Sequence, residues 1–157
     1  MIRTYEPQRD RDRLRACIVE LQEYERHLEP ALPPGEEMAD AYLSHRLDQW
    51  AGDSGRIFVA EVDGAVVGFV GVRLRVPPGE PDEDPAPYAY VTDLLVLRDH
   101  RRRGIGRALL DHAEQHAREA GASTIRIGVL ANNQVARRLY REMGYADYHV
   151  QLAKQLS

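Results

Sequence analysis

One stretch of the sequence, residues 88–130, constrains the fold more than any other. It begins with the strand pattern of Tyr88–Leu97, continues through a loop with two glycines, and forms an amphipathic helix that ends at Gly121. Glycine often follows a helix because it adopts the left-handed conformation without strain. A second strand pattern, Thr124–Leu130, comes directly afterwards. A helix that joins two strands in this way forms a βαβ unit, so we predict that the two strands are parallel.

Hydrophobic periodicity assigns the other elements. It predicts, in chain order, a strand over 2–5, helices over 8–27 and 36–50, strands over 57–62 and 65–76, and, after the βαβ unit, a helix over 133–143 and a strand over 145–152. The segment 52–55 ends the second helix, and Asp63-Gly64 is typical of a hairpin turn. The order β-α-α-β-β-β-α-β-α-β predicts an α/β fold, with a mixed central sheet flanked by helices on both faces, in a single domain over 1–157.

Composition narrows the class of protein. The 157 residues include 21 Lys and Arg against 25 Asp and Glu, and this net charge of −4 disfavours a general nucleic-acid binder. The lone cysteine, Cys17, cannot form an internal disulfide and is expected in the core. The sequence lacks an apolar run of the roughly 18 residues that a bilayer requires, so no membrane partner is expected. We therefore expect a cytoplasmic enzyme or binding module.

The loop between the first strand and the helix of the βαβ unit is the sharpest local feature. It contains Arg101-x-x-Gly104-x-Gly106, and its remaining cations are Arg102, Arg103 and Arg107. Glycines let the backbone approach a ligand, and the following helix directs unpaired N–H groups and its positive end into the loop. These properties suit a pyrophosphate. The Walker and dinucleotide-binding patterns do not fit, and a tight turn with a solvated basic cluster is the alternative.

Asn133 and Tyr140 form a second candidate pair. Asn133 is typical of a helix N-cap, which is its purely structural interpretation. Tyr140 follows seven residues later, about two helical turns, so the two side chains can lie on one face. The alternative for Tyr140 is a half-buried aromatic residue that packs on the sheet.

These motifs and the spacing between them resemble the GNAT superfamily of acetyl-CoA-dependent N-acetyltransferases. The resemblance covers the element order to about residue 152 and is strongest over 91–145. It implies that the loop cradles the pyrophosphate of coenzyme A, through Arg101, Arg102, Arg103, Gly104, Ile105, Gly106 and Arg107. It also implies backbone hydrogen bonds from Leu94, Leu95 and Val96 to the pantetheine arm, a further pantetheine contact from Asn133, and Tyr140 as the acid that protonates the departing thiolate.

The general base is not evident from the resemblance. Many members of the family carry a glutamate on the strand that follows the coenzyme helix, and the corresponding position lies near Gly128. Asp93 is the candidate that remains, either to bind the substrate ammonium or to pass its proton through water, although an aspartate on the surface of a strand is the alternative. The segment around Asp93 resembles diamine acetyltransferases, but Thr92 stands where that branch commonly has glutamate.

The expected function is transfer of an acetyl group from acetyl-CoA to a primary amine of a small molecule. The alternatives are acetylation of a protein N-terminus or lysine, and a non-catalytic acyl-CoA sensor. We expect the first two helices and the 77–87 loop to line the acceptor site, with the acids Glu80, Asp82, Glu83 and Asp84 at its rim.

No metal is expected in this reaction. His112 and His116 are spaced as a metal-binding pair on a helix, but the sequence offers no third ligand near them. A solvated polar helix face is the simpler interpretation of the two histidines. Homodimers are frequent among similar proteins, so the resemblance also allows a homodimer.

Overall fold

The computed structural model describes residues 1–52 and 54–157 and contains, among them, five strands and four α-helices. In chain order these are β1 (Ile2–Thr4), α1 (Pro7–Leu28), α2 (Gly35–Gly52), β2 (Arg56–Val62), β3 (Ala65–Val76), β4 (Tyr88–Val96), α3 (Ile105–Glu119), β5 (Ile125–Ile127) and α4 (Gln134–Glu142). Asp53, within the predicted turn after α2, lies outside the described residues. Across the described ranges, no helix combines the length and apolar character that a membrane crossing requires.

The strands form one sheet in the order β1-β2-β3-β4-β5. Neighbouring strands are antiparallel except β4 and β5, which pair in parallel with Ala89 opposite Ile125 and Val91 opposite Ile127. The parallel pair is the one that α3 connects, so the predicted βαβ unit is confirmed. The predicted fold class, a mixed sheet with helices on both faces, is confirmed as well.

The two faces of the sheet carry separate apolar cores. On one face, buried residues of α3 such as Leu109 and Ala113 pack against the sheet, together with Tyr140 of α4. On the other face lie α1 and α2, whose buried residues include Ile18 and Leu43. The apolar stripes predicted for these helices therefore face the sheet, and Cys17 is buried among them as expected.

Strand β4 contains a β-bulge. Asp93 lies opposite Gly71 and Val91 lies opposite Val72, so Thr92 is an extra residue without a partner on β3. A bulge of this kind bends the strand and redirects the side chains that follow it. Gly71 faces the bulge from β3, and a side chain does not fit there because a Cβ would overlap the Trp50 ring and lie 2.7 Å from the Thr92 hydroxyl.

The bulge decides which face of the sheet Asp93 occupies. Val91, before the bulge, packs in the core under α3, whereas Leu95, after it, packs in the core under α1 and α2. Strict alternation would place these two residues on the same face, because they are four positions apart. The extra residue reverses the alternation and brings Asp93 to Tyr42 and Arg46 of α2.

The parallel strands separate beyond Val91. β5 ends at Ile127, three residues into its pairing with β4, whereas β4 continues to Val96 with β3 as its partner. The edge of β4 over 92–96 therefore faces an opening instead of a neighbouring strand. The predicted strand over 124–130 is correspondingly shorter, because its last residues line this opening.

The final strand predicted over 145–152 is wrong. Residues 145–157 form no regular secondary structure, and Tyr148, Val150 and Leu152 are exposed. Alternating side chains are not sufficient for a strand, which also needs the N–H and C=O groups of a neighbour. The segment instead contacts the sheet through a side chain, with the guanidinium of Arg126 4.5 Å from the centre of the Tyr148 ring.

Candidate active site

A cavity of about 740 Å³ occupies the opening between β4 and β5. Its walls come from α1, α2, the C-terminal half of β4, the loop before α3, residues 127–130 and α4. It therefore passes from one layer of helices to the other through the separation of the two strands. Of the thirteen residues predicted to act in catalysis or coenzyme binding, the cavity brings twelve together, and Arg103 is the exception.

The glycine loop forms the start of α3. Gly104 is the N-cap residue, with a left-handed φ of 77°, and its carbonyl accepts the first helical hydrogen bond from the Ala108 N–H at 3.0 Å. The earlier N–H groups of the helix have no intrahelical acceptor. A Cβ on Gly106 would lie 3.7 Å from side-chain atoms of both Val96 and Leu139, which line the cavity. Glycine at 106 therefore keeps space open beside the free N–H groups.

The arginines of this loop have different partners. The Arg101 Nε donates to the Val96 carbonyl at 2.8 Å, so this residue fixes the loop to the end of β4. Arg102 has a positive φ of 62° and lines the cavity. Arg107 also lines the cavity and pairs with Glu142 at 3.1 Å across the surface. Arg102 and Arg107 are thus loop cations that line the cavity and are not bonded to the end of β4, and Arg103 is exposed outside the cavity.

The predicted pantetheine strand has one edge available to a ligand. Leu94, Leu95 and Val96 pair with β3 on one side and line the cavity on the other. Main-chain groups of an extended strand point alternately to its two sides, so half of those in this segment face the cavity. An extended molecule with amide groups can form hydrogen bonds to this edge in the same way as an additional β-strand.

Asn133 and Tyr140 lie on the cavity side of α4. The Asn133 side chain caps the helix by accepting from the Ala136 N–H at 3.2 Å, and the Tyr24 hydroxyl of α1 lies 3.4 Å from the same oxygen. Tyr140 is only 9% exposed but lines the cavity. Burial, reinforced by the negative charge of Glu25, raises the pKa of Tyr140 to about 12. Its hydroxyl is therefore protonated at neutral pH.

Asp93 lines the cavity but is almost completely buried, with 4% of its surface exposed. The Tyr42 hydroxyl donates to its Oδ1, and the Arg46 Nε lies 3.3 Å from its Oδ2. Burial raises the pKa of Asp93, while the charge of Arg46 opposes that shift. Gly128 occupies the position near which the resemblance leads one to expect a glutamate. A Cβ atom at Gly128 would lie 2.9 Å from the Tyr90 hydroxyl.

Four titratable side chains of α1 and α2 line the cavity without having been candidates from the sequence. They are Tyr24 and Glu25 of α1, and Tyr42 and Arg46 of α2. One signal was available for Glu25, because the apolar spacing of Leu14, Ile18 and Leu21 continues to position 25. A charged residue on the inner stripe of a helix is uncommon, since carboxylates are rarely buried without a partner.

The 77–87 loop does not reach the site. Within the described chain, the residues that line the cavity include none from this loop, so the expectation that its acids form the rim is wrong. The acids bond within the loop instead: Glu83 accepts from the Gly79 N–H at 3.3 Å and Asp84 from the Ala86 N–H at 2.9 Å. The length and charge of the loop favour a substrate role, but the loop joins the start of β4, whereas the cavity lies at the C-terminal half of that strand.

The two helical histidines pack away from the cavity. Their ring centres lie 4.7 Å apart, and each ring is 4.5 Å from that of Phe58. The rings of His112 and His116 thus contact an aromatic residue of β2. Over residues 1–52 and 54–157, no group of three or more His, Cys, Asp or Glu side chains is arranged to hold a metal ion.

Comparison with known proteins agrees with this architecture. Residues 20–145 match the acetyltransferase (GNAT) family. The N-alpha-acetyltransferase of Sulfurisphaera tokodaii is 33% identical over 96 residues, which are 59% of this chain and 58% of that protein. The chain spans about half the length of the curated relatives that it matches.

Two solved structures share the fold over nearly the whole chain. A GCN5-related N-acetyltransferase from Ralstonia eutropha superposes with a TM-score of 0.75 at 22% identity, covering 99% of this chain and 97% of that one. The aminoglycoside N-acetyltransferase AAC(6')-Iy in complex with CoA gives a TM-score of 0.69 at 17% identity, with 100% of both chains covered. At such identities the likeness shows the fold alone. The sequence match, which includes the glycine loop, β4, β5 and α4, shows that the chain belongs to the acetyltransferase (GNAT) family.

Proposed function

We propose that this protein transfers the acetyl group of acetyl-CoA to a primary amine of a small molecule. The observation that supports the proposal is a cavity between β4 and β5 that is lined by the glycine loop, Tyr140 and Asp93. A volume of about 740 Å³ lies within the range of roughly 300–1,000 Å³ that is common for small-molecule sites.

The residues present fit coenzyme A. Free N–H groups at the start of α3, together with Arg102 and Arg107, would hold the pyrophosphate, because a helix N-terminus and cations both favour an anion. Gly104 and Gly106 allow the close approach. The open edge of β4 over 94–96 and Asn133 would hold the pantetheine arm. When bound, acetyl-CoA supplies the thioester carbonyl that the amine attacks.

Tyr140 is the proposed acid. Its raised pKa keeps the hydroxyl protonated, so it can donate a hydrogen bond, and then its proton, to the sulfur as the C–S bond breaks. The proton that the attacking nitrogen loses restores the phenol. A protein that only binds coenzyme A has no need of a buried hydroxyl at this position, which argues against the sensor alternative.

Asp93 is the proposed group at the acceptor end. An alkylamine with a pKa of about 10.4 is mostly protonated at neutral pH and must lose a proton before it attacks. The Asp93 carboxylate can bind the ammonium or pass its proton through water. Its buried position, beside Tyr42 and Arg46, fixes its orientation.

The second candidate function is acetylation of a protein N-terminus. The relative named N-alpha-acetyltransferase favours it, because that protein is 33% identical over the aligned region. The solved aminoglycoside N-acetyltransferase, in contrast, has a small-molecule acceptor by name and the same fold. Both candidate functions use the same coenzyme site and the same acid. They differ only in the acceptor, a small amine or a protein N-terminus, that fits against α1 and α2.

A panel of amines tests the proposal. Purified protein is incubated with acetyl-CoA and 1,4-diaminobutane, neamine, 2-phenylethylamine, alaninamide or an Ala-Gly peptide, and free thiol is measured. We expect thiol release with at least one non-peptide amine and acetylation of its nitrogen by mass spectrometry. Acetylation of the peptide alone would favour the N-terminal function. Absence of thiol release with every amine would overturn both.

A further inference from the structure

Glu25 is a carboxylate in the cavity that no cation of the described chain pairs with. It lies on the inner stripe of α1, is only partly exposed, and lines the cavity together with Asp93 and Tyr140. Among residues 1–52 and 54–157, its side chain has neither a hydrogen bond nor an ion pair within contact distance. A partly buried carboxylate without a protein partner is free to take a cation from solution, since pairing offsets the cost of burying its charge.

Two arginines that line the cavity, Arg46 and Arg101, already have partners. Arg46 Nε lies 3.3 Å from the Asp93 carboxylate, its guanidinium lies over the Tyr42 ring at 4.8 Å from the ring centre, and it donates to Gln49 at 2.7 Å. Arg101 donates to the Val96 carbonyl at 2.8 Å and pairs with Glu20 at 3.4 Å. The charge of Asp93 is therefore offset within the protein, whereas that of Glu25 is not.

We propose that Glu25 binds the ammonium group of the acceptor and accepts its proton. The inference rests on the proposed function, because it assigns a residue to the amine of that reaction. The position suits the role, because Glu25, Asp93 and Tyr140 line the same cavity. An ammonium among these three side chains would meet two carboxylates and the hydroxyl of the proposed acid.

The proton balance is complete without another reactant. The acceptor ammonium gives one proton to Glu25 and becomes a neutral amine. Its nitrogen forms a bond to the thioester carbon while the C–S bond breaks, and Tyr140 gives a proton to the departing sulfur. The second proton from nitrogen returns to Tyr140, and Glu25 releases its proton to solvent with the products.

The surroundings of Glu25 favour this exchange. Burial raises the pKa of Glu25, and the nearby charge of Asp93 raises it further, which makes the carboxylate a better proton acceptor than an exposed glutamate. Besides Glu25, the titratable and charged groups that line the cavity are Tyr24, Tyr42, Arg46, Asp93, His100, Arg101, Arg102, Arg107 and Tyr140. Within the described chain, none of the arginines among them forms an ion pair with Glu25.

The test compares Glu25→Gln with Glu37→Gln, an exposed carboxylate of α2 outside the cavity. kcat/KM is measured against pH with whichever panel amine the wild-type protein acetylates fastest. We expect Glu25→Gln to lower kcat/KM at neutral pH by about 10²-fold or more, the usual effect of a general base. The defect should shrink as the pH approaches the pKa of the amine, because free amine then needs no base. Glu37→Gln should match the wild type.

A conservative variant separates chemistry from packing. Glu25→Asp keeps the carboxylate and should retain the wild-type shape of the pH profile at a reduced rate. If kcat/KM of Glu25→Gln is unchanged, or is reduced equally at every pH, the inference is overturned. The proposed function still stands in that case, because the wild-type protein acetylates the amine. A wild-type protein that releases no thiol with any panel amine overturns both.

Discussion

At the scale of single residues, two carboxylates of one cavity have different environments. Asp93 is held between a tyrosine hydroxyl and an arginine, whereas Glu25 has no such partner within the described chain. Asp93 is a candidate from the sequence because of its place on the strand before the glycine loop, whereas Glu25 belongs to no recognisable motif. The difference arises because Asp93 lies beside a motif, while Glu25 is brought to the site by the packing of α1.

Tyr140→Phe tests the acid. The change keeps the ring that packs in the core and removes only the hydroxyl, so the structure should be unchanged. We expect turnover to fall by about 10²–10⁴-fold, with little change in coenzyme affinity, because an acid acts in the transition state. Single-turnover rates and calorimetric binding of CoA provide the measurement. A rate near that of the wild type, under conditions where chemistry limits turnover, would leave Tyr140 with only a packing role.

Asp93→Asn tests the acceptor end of the site. Asparagine can still accept from Tyr42, but it removes the negative charge opposite Arg46. We expect KM for the amine to rise and kcat to fall, with KM for acetyl-CoA unchanged. Steady-state kinetics measure all three constants, and thermal unfolding measures any loss of stability from the unpaired arginine. Unchanged constants for the amine would contradict the proposed role.

At the scale of elements, the start of α3 combines two properties that a phosphate site needs. Gly104 turns the chain with a left-handed φ, and the helix that follows presents free N–H groups toward the cavity. The β4 bulge has a similar importance, because it directs Asp93 toward α2. In both places a local irregularity of the backbone, and not a regular element, positions the functional group.

Gly104→Val tests the loop. A Cβ there would meet no atom within 4 Å, so the expected damage comes from the φ of 77°, which a β-branched residue rarely adopts. We expect coenzyme binding to be lost in calorimetry, because relief of about 1–3 kcal/mol of strain shifts the N–H groups. Gly104→Asn is the matched control, since asparagine tolerates the left-handed conformation. This variant should bind CoA more tightly than Gly104→Val. Unchanged affinity in a folded Gly104→Val protein would contradict the loop assignment.

A second element-scale prediction concerns the ion pairs that join β1, α1 and β2. Asp10 is 1% exposed, and its carboxylate accepts from both terminal nitrogens of Arg3, at 2.7 and 2.9 Å. Pairing with Arg3 lowers the pKa of Asp10 below its ordinary value of 3.8. Such a group stabilises the fold above the unfolded-state pKa, and that contribution disappears as the pH falls through the lower folded-state pKa.

Asp10→Asn should therefore reduce the free energy of unfolding by about 3 kcal/mol at neutral pH, because it removes one partner of a buried pair. The difference from the wild type should shrink as the pH falls below about 4. Urea unfolding at several pH values measures it, with Asp12→Asn, an exposed neighbour on α1, as the control. A difference that does not change with pH would contradict the assignment to charge.

At the scale of the whole molecule, α1 and α2 line the cavity at the proposed acceptor end, and within the described chain the acidic 77–87 loop does not line it. Replacing Glu80, Asp82, Glu83 and Asp84 together by amides should leave KM for the amine within about twofold at physiological salt, where charges act over only about 8 Å. Steady-state kinetics at low and physiological salt provide the test. A large rise of KM at physiological salt would show that the loop reaches the substrate.

Local sequence patterns are sufficient to predict the elements with strong periodicity and the residues of the proposed coenzyme half of the site. The predicted strand over 65–76 matches β3, and the predicted helices match α1, α2 and α4 to within two residues at either end. The glycine loop and Tyr140 lie within the βαβ unit and the helix that follows it, where spacing along the chain fixes position in space. Those features depend on local backbone geometry, which a sequence encodes directly.

The other features of the fold and of the proposed site depend on how the elements pack together. The strand predicted over 145–152 did not form, because alternation cannot supply a hydrogen-bonding neighbour. The bulge at Thr92 places Asp93 on the opposite face of the sheet from the one that strict alternation predicts. The packing of α1 brings Glu25 into the same cavity as Asp93, although the two are more than sixty positions apart in the chain. The proposed acceptor half of the site is assembled by contacts between elements distant in sequence, and no local pattern specifies such contacts.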